Sequence, residues 1–148
     1  MLKRPHYSTN GKQAVYLQGN NMSLANVLKS ISDDKSLSIF QAIADVNSNG
    51  EISIKKLGIS RKQYYSRISA MMETGLIKKR NGRYYLTAFG KVIYCSIMIA
   101  KNALGNYYNL KGVEATEAQN NLSNEEFSKL VDALIGNQQI KEFLTKKC

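Results

Sequence analysis

Residues 59–86 read ISRKQYYSRISAMMETGLIKKRNGRYYL, and the architecture of the chain follows from this stretch. Ser60 can accept a hydrogen bond from a free amide of a first helical turn, so it is a natural N-cap. Gly75 tolerates the left-handed conformation that ends a helix. Between them Tyr64, Ile68, Met71 and Gly75 recur at spacings of four, three and four, which puts them on one face, the core side. The opposite side carries Lys62, Gln63, Tyr65, Ser66 and Ser69, with Arg61 at the first turn and Arg67 to one side. A merely solvated face would mix Glu with Lys; here the one acid, Glu73, stands at the far end.

A hairpin is predicted at once after this helix. Residues 76–80 and 83–86 flank Asn81-Gly82, the pair that suits a type I′ turn because both positions need positive φ. That two-residue loop sets Arg80 opposite Arg83 and Ile77 opposite Leu86. Alternation places Ile77, Lys79, Tyr84 and Leu86 on one face and Lys78, Arg80, Arg83 and Tyr85 on the other. Like charges facing each other across a hairpin are unfavourable. Lys78, Lys79, Arg80 and Arg83, four cations within six residues, make physical sense if a polyanion neutralises them.

The run LGISRKQYYSRISAMMETGLIKKRNGRYYLTAFG resembles the winged helix-turn-helix of archaeal and bacterial transcription regulators, within the MarR/ArsR-like winged-helix superfamily. The carrying features are the Leu-Gly-Ile-Ser turn, the helix after it, Gly-Leu-Ile, the basic hairpin, and Leu-Thr with a Gly one turn into the next helix. The likeness covers residues 32–104 and is nearest to small archaeal regulators. It implies a mainly α fold with a small β-hairpin, a winged helix-turn-helix followed by C-terminal helices, and it leaves the regulated gene open.

Charge placement agrees with an anionic partner. The 148 residues carry a formal charge of +10, and the pI is about 9.6. Residues 51–91 hold ten Lys or Arg against Glu51 and Glu73, while residues 113–148 hold six acids against four lysines. The positive charge is thus concentrated on the helix-and-hairpin segment. Cys95 and Cys148 have no ligand or redox partner at useful spacing. The opening MLKRPHYSTNGK lacks the apolar core of a signal peptide, and no apolar run reaches the ~20 residues of a membrane helix. A cytoplasmic setting is expected, with no membrane partner.

Three segments are expected: a basic N-terminal extension over 1–31, the winged domain over 32–104, and a loop with C-terminal helices over 105–148. Residues 1–21 read as a basic arm broken by Pro5, Gly11, Gly19 and Asn20-Asn21. Leu24, Val27, Leu28 and Ile31 are spaced for a short helix over 23–31. Ser32 is expected to cap the next helix, with Leu37, Phe40, Ile43 and Ala44 inward. Residues 45–53 imitate the opening of an EF-hand loop, but the twelfth position, which needs a bidentate Glu, is Lys56, so no calcium site is expected. A strand over 51–54 and a short helix over 53–57 then lead to the tight turn at Gly58.

Thr87 should cap a helix running to about Leu104 that is apolar on every side. Such a helix must be covered on every side, and a homodimer through helix 87–104 is the expected cover, with residues 122–144 as the alternative. Residues 105–121 read as a loop. Ser123 and Glu126 form a capping box, followed by a stripe of Phe127, Leu130, Val131, Leu134 and Ile135; Gly136 stops it, and Ile140, Phe143 and Leu144 continue in a last helix.

Catalytic chemistry is missing. The one histidine, His6, rules out Ser-His-Asp and Cys-His arrangements, and no metal-ligand spacing or phosphate-binding glycine loop occurs. No enzyme, cofactor or metal is expected. The expectation is a regulator that binds double-stranded DNA. The recognition helix, 60–74, would enter the major groove with Arg61, Lys62, Gln63, Tyr65, Ser66, Arg67 and Ser69 toward bases and phosphates. Lys78, Lys79, Arg80 and Arg83 of the wing, 76–86, would hold the backbone or a minor groove. The rival is a winged-helix interaction module of a larger assembly.

Overall fold

The computed structural model describes residues 22–45 and 54–146. The N-terminal arm, the EF-hand-like run, the strand expected over 51–54 and Cys148 lie wholly or mostly outside them. The described residues form eight helices and one two-stranded antiparallel sheet. They divide into two compact units, Met1–Lys91 and Val92–Cys148. That division falls inside a helix.

In the first unit, α1 spans Leu24–Ser30 and starts at Ser23, whose side chain accepts the Asn26 amide. Its Val27, and Ile31 just beyond it, are buried, and the Ser30 hydroxyl lies 3.2 Å from that of Thr74. Residues 23–31 are therefore a packed part of this unit. Helix α2 spans Asp34–Ala44. Its cap is Asp33, not Ser32: one Asp33 carboxylate oxygen accepts the Lys35 and Ser36 amides, at 3.1 and 3.0 Å. Ser and Asp are both good caps, and a carboxylate also suits the positive end of the helix dipole. The buried face shifts accordingly to Ser36, Ile39 and Phe40, with Leu37, Ile43 and Ala44 only half-buried.

The four-residue α3, Ile54–Leu57, buries Leu57 and ends at Gly58, whose φ of +65° turns the chain toward α4, Arg61–Glu73. A full capping box starts α4: the Ser60 hydroxyl accepts the Gln63 amide at 3.1 Å, and the Gln63 side-chain oxygen accepts the Ser60 amide at 3.0 Å. Tyr64, Ile68 and Met71 form its buried face, and Gly75 at φ +72° ends it.

Strands β1, Ile77–Arg80, and β2, Arg83–Leu86, pair in the register read from the sequence, Ile77 with Leu86 and Arg80 with Arg83. Asn81 and Gly82 have φ of +51° and +76°, as a type I′ turn requires. Thr87 joins the hairpin to α5, Ala88–Gly105. Its amide donates to the Leu76 carbonyl and its hydroxyl to the Gly75 carbonyl, while the same hydroxyl oxygen accepts the Gly90 amide at 2.8 Å. Gly90 is required here, since a Cβ on it would sit 1.9 Å from the Leu76 carbonyl oxygen.

Helix α5 crosses the unit boundary and buries one residue of its 18, Gly90. Val92 and Leu104 are 63% and 73% exposed. The second unit continues with α6, Tyr107–Gln119, α7, Asn124–Leu134, and α8, Gln138–Thr145. The loop expected over 105–121 is therefore a helix broken from α5 only near Asn106. Its apolar positions lack a regular period, but Leu110 and Val113 pack on a core of Val131, Ile135 and Ile140, with Ala103, Phe127, Leu130, Leu134 and Leu144 at its margin. Ser123 and Glu126 form the expected capping box.

Candidate nucleic-acid interface

Local folding presents α4 with its polar side outward. Arg61, Lys62, Gln63, Tyr65, Ser66 and Ser69 are exposed, and Tyr65 is 55% accessible. Arg61 and Lys62 make no ion pair among the described residues. Gln63 is committed locally, because the cap occupies its carbonyl oxygen. Bidentate recognition of adenine needs both ends of the amide, so that contact would have to break the cap. Ser69 donates weakly to Glu73 at 3.5 Å.

Arg67 is not free. Its guanidinium lies 3.4 Å from the Asp33 carboxylate and also donates to the Gln63 carbonyl. The Ser36 hydroxyl, donating to Asp33 at 2.6 Å, is the main cause that holds this carboxyl below its ordinary range, with Arg67 adding to it. Arg67 thus locks the start of α2 to the flank of α4. Asp33 lies 34 residues away in sequence, and no local pattern shows that pairing.

The hairpin stands beside α4. Tyr64 meets Tyr65 edge-on at 5.2 Å. Burial first, then the electrostatic influence of Tyr84 and Tyr65, raises the Tyr64 hydroxyl above its ordinary pKa. Tyr84 carries the Lys79 ammonium 5.7 Å from its ring centre. Lys78, Lys79, Arg80 and Arg83 are exposed, and none makes an ion pair among the described residues. Arg80 faces Arg83 at the last register position before the turn.

Three further residues are exposed on β2 and α3. Tyr85, opposite Lys78 and 43% exposed, lies on the outer face with the cations. Lys55 and Lys56 are exposed on α3, one turn before the Gly58 bend. Both lysines count in the charge cluster of the sequence, but overlapping strand and helix signals over 51–57 obscured their position.

Among the described residues, no group of three or more His, Cys, Asp or Glu could hold a metal ion. No helix among them is long and apolar enough to cross a membrane. Comparison with protein-family models, curated proteins and solved structures found no match to the chain.

Proposed function

We propose that this chain is a cytoplasmic, sequence-specific regulator of transcription that binds double-stranded DNA as a winged helix-turn-helix. Helix α4 enters the major groove, and the β1–β2 hairpin, as the wing, holds the backbone or a minor groove. One observation carries the reading: four hairpin cations that make no ion pair among the described residues stand beside a helix whose outward side, apart from Met72 and Glu73 at its far end, is cationic, amide or hydroxyl. Arg61 and Lys62 suit guanine, whose major-groove edge offers two acceptors. Gln63 competes for its own cap. Tyr65, Ser66 and Ser69 suit phosphate oxygens and base edges. The locked Arg67 supports α4 more than it reads DNA.

The reading includes a second copy of the chain against helix 87–104, supported by the exposure of Phe89, Val92 and Leu104 along α5. Two groove-entering helices would then lie about 34 Å apart on a near-palindromic operator.

Selection of bound sequences from a random duplex pool tests binding, half-site spacing and symmetry together. Enrichment of a two-fold motif supports the proposal. Absence of any shift on random duplex at low salt and micromolar protein would favour the interaction-module reading. A tighter complex with RNA than with duplex DNA would replace it with RNA binding.

A further inference from the structure

The two faces of the β1–β2 hairpin are unequal. Ile77 is buried and Tyr84 and Leu86 are half-buried, and these three share the inner face with Lys79. Lys79 is exposed, but its ammonium lies over Tyr84, 5.7 Å from the ring centre. Every residue of the outer face is exposed: Lys78 opposite Tyr85, and Arg80 opposite Arg83. Partners across such a pair stand about 5.5 Å apart, and successive outward positions about 7 Å apart along a strand. Three cations therefore crowd one small patch, and none makes an ion pair among the described residues. Tyr85 beside them is 43% exposed. Among the described residues its hydroxyl makes no hydrogen bond and its ring no aromatic contact.

We infer that this outer face, and neither the turn nor the inner face, is the phosphate-binding surface of the hairpin. Lys78, Arg80 and Arg83 neutralise a stretch of duplex backbone, and the Tyr85 hydroxyl donates to one of its phosphate oxygens. The inference rests on the proposed DNA reading and narrows it from backbone or minor groove to backbone. Like charges this close destabilise the hairpin alone, and a phosphodiester chain, charged at every nucleotide, relieves several of them at once. A minor groove about 6 Å wide admits a turn, not the face of a ribbon whose two strands are already about 4.8 Å apart. The turn itself, Asn81-Gly82, carries no cation. Lys79, on the inner face, leaves the contact to the other three. A tyrosine kept for packing alone would bury its ring, as Tyr64 does.

The test measures binding of the full chain and of single variants to two duplexes of unrelated sequence across a salt series. Lys78→Ala is expected to flatten the log–log salt slope by about 0.9 units, and Lys79→Ala to leave it unchanged. Tyr85→Phe keeps the ring and loses the hydroxyl. It is expected to weaken binding about tenfold on both duplexes alike. Its salt slope should stay that of the parent, because the lost group is uncharged, and its thermal midpoint should not move. A slope flattened as much by Lys79→Ala as by Lys78→Ala overturns the inference. So does parent-like binding by Tyr85→Phe, or a loss confined to one duplex. In each of those cases the parent still binds and the DNA reading stands; a parent that binds neither duplex at low salt removes both.

Discussion

Replacing Gly90 by alanine should destabilise the protein, although the same change inside a helix ordinarily stabilises it by about 1 kcal/mol. The new Cβ would lie 1.9 Å from the Leu76 carbonyl oxygen and 2.9 Å from its carbonyl carbon. Both are backbone atoms, so relief requires moving the hairpin entry or the first turn of α5. Leu76 is fully buried, and its carbonyl also accepts the Thr87 amide at 3.0 Å. Overpacking of this kind costs about 1–3 kcal/mol, and loss of the Thr87 bond adds about 1 kcal/mol. Set against the gain in helix propensity, the net is a loss of about 1–3 kcal/mol. Gly112 in α6 is the internal comparison: its added Cβ would meet only the Leu134 methyl at 3.6 Å, an ordinary contact. Gly112→Ala should therefore stabilise by about 0.5–1 kcal/mol. Urea unfolding followed by far-ultraviolet dichroism and tyrosine fluorescence measures both. A Gly90→Ala protein as stable as the parent would refute the reasoning.

Three further outcomes are expected. Ser60→Ala should cost about 1 kcal/mol in urea unfolding, and Gln63→Ala should weaken the cap as well as change any base preference; Gln63→Glu, which keeps an acceptor for the Ser60 amide, should retain the stability. Arg80→Ala and Arg83→Ala should each flatten the salt dependence of duplex binding by about 0.9 units of log–log slope, and each should stabilise the free hairpin by a few tenths of a kcal/mol by removing a like-charge pair; an unchanged slope would place the hairpin away from DNA. The Asp33 carboxyl is held below its ordinary range by Ser36 and then Arg67, so its contribution to stability is full above the unfolded-state pKa and fades as pH falls through the lower folded-state value; acid unfolding of Asp33→Asn should lack that component, and an identical acid limb in the two proteins would rule it out.

The parts of this fold that sequence made readable are those set by neighbours within a few residues. Asn81-Gly82 announces its turn because few other pairs accept two positive φ angles, and the register follows from that turn alone. Ser60 with Gln63 and Ser123 with Glu126 are reciprocal contacts three residues apart, and both boxes form. Tyr64, Ile68 and Met71 repeat at helical spacing because one face of α4 meets the core. The misses have a different origin. The α6 segment has no apolar period, and its helix depends on Leu110 and Val113 meeting side chains of later helices. Arg67 looks like a free cation until Asp33, one position beyond the expected cap, arrives from another helix. The reason for glycine at position 90 is a carbonyl fourteen residues earlier, a steric fact that no propensity records.

Under the proposed pairing, the exposed positions of α5 make dilution a physical variable. If a second copy of the chain covers the exposed Val92 and Leu104, as proposed, mass action ties assembly to concentration. On the proposed reading, most chains would circulate singly at scarce expression levels, and an operator holding two adjacent sites would raise the local concentration enough to bring a pair together. Occupancy would then rise more steeply than the protein level that drives it.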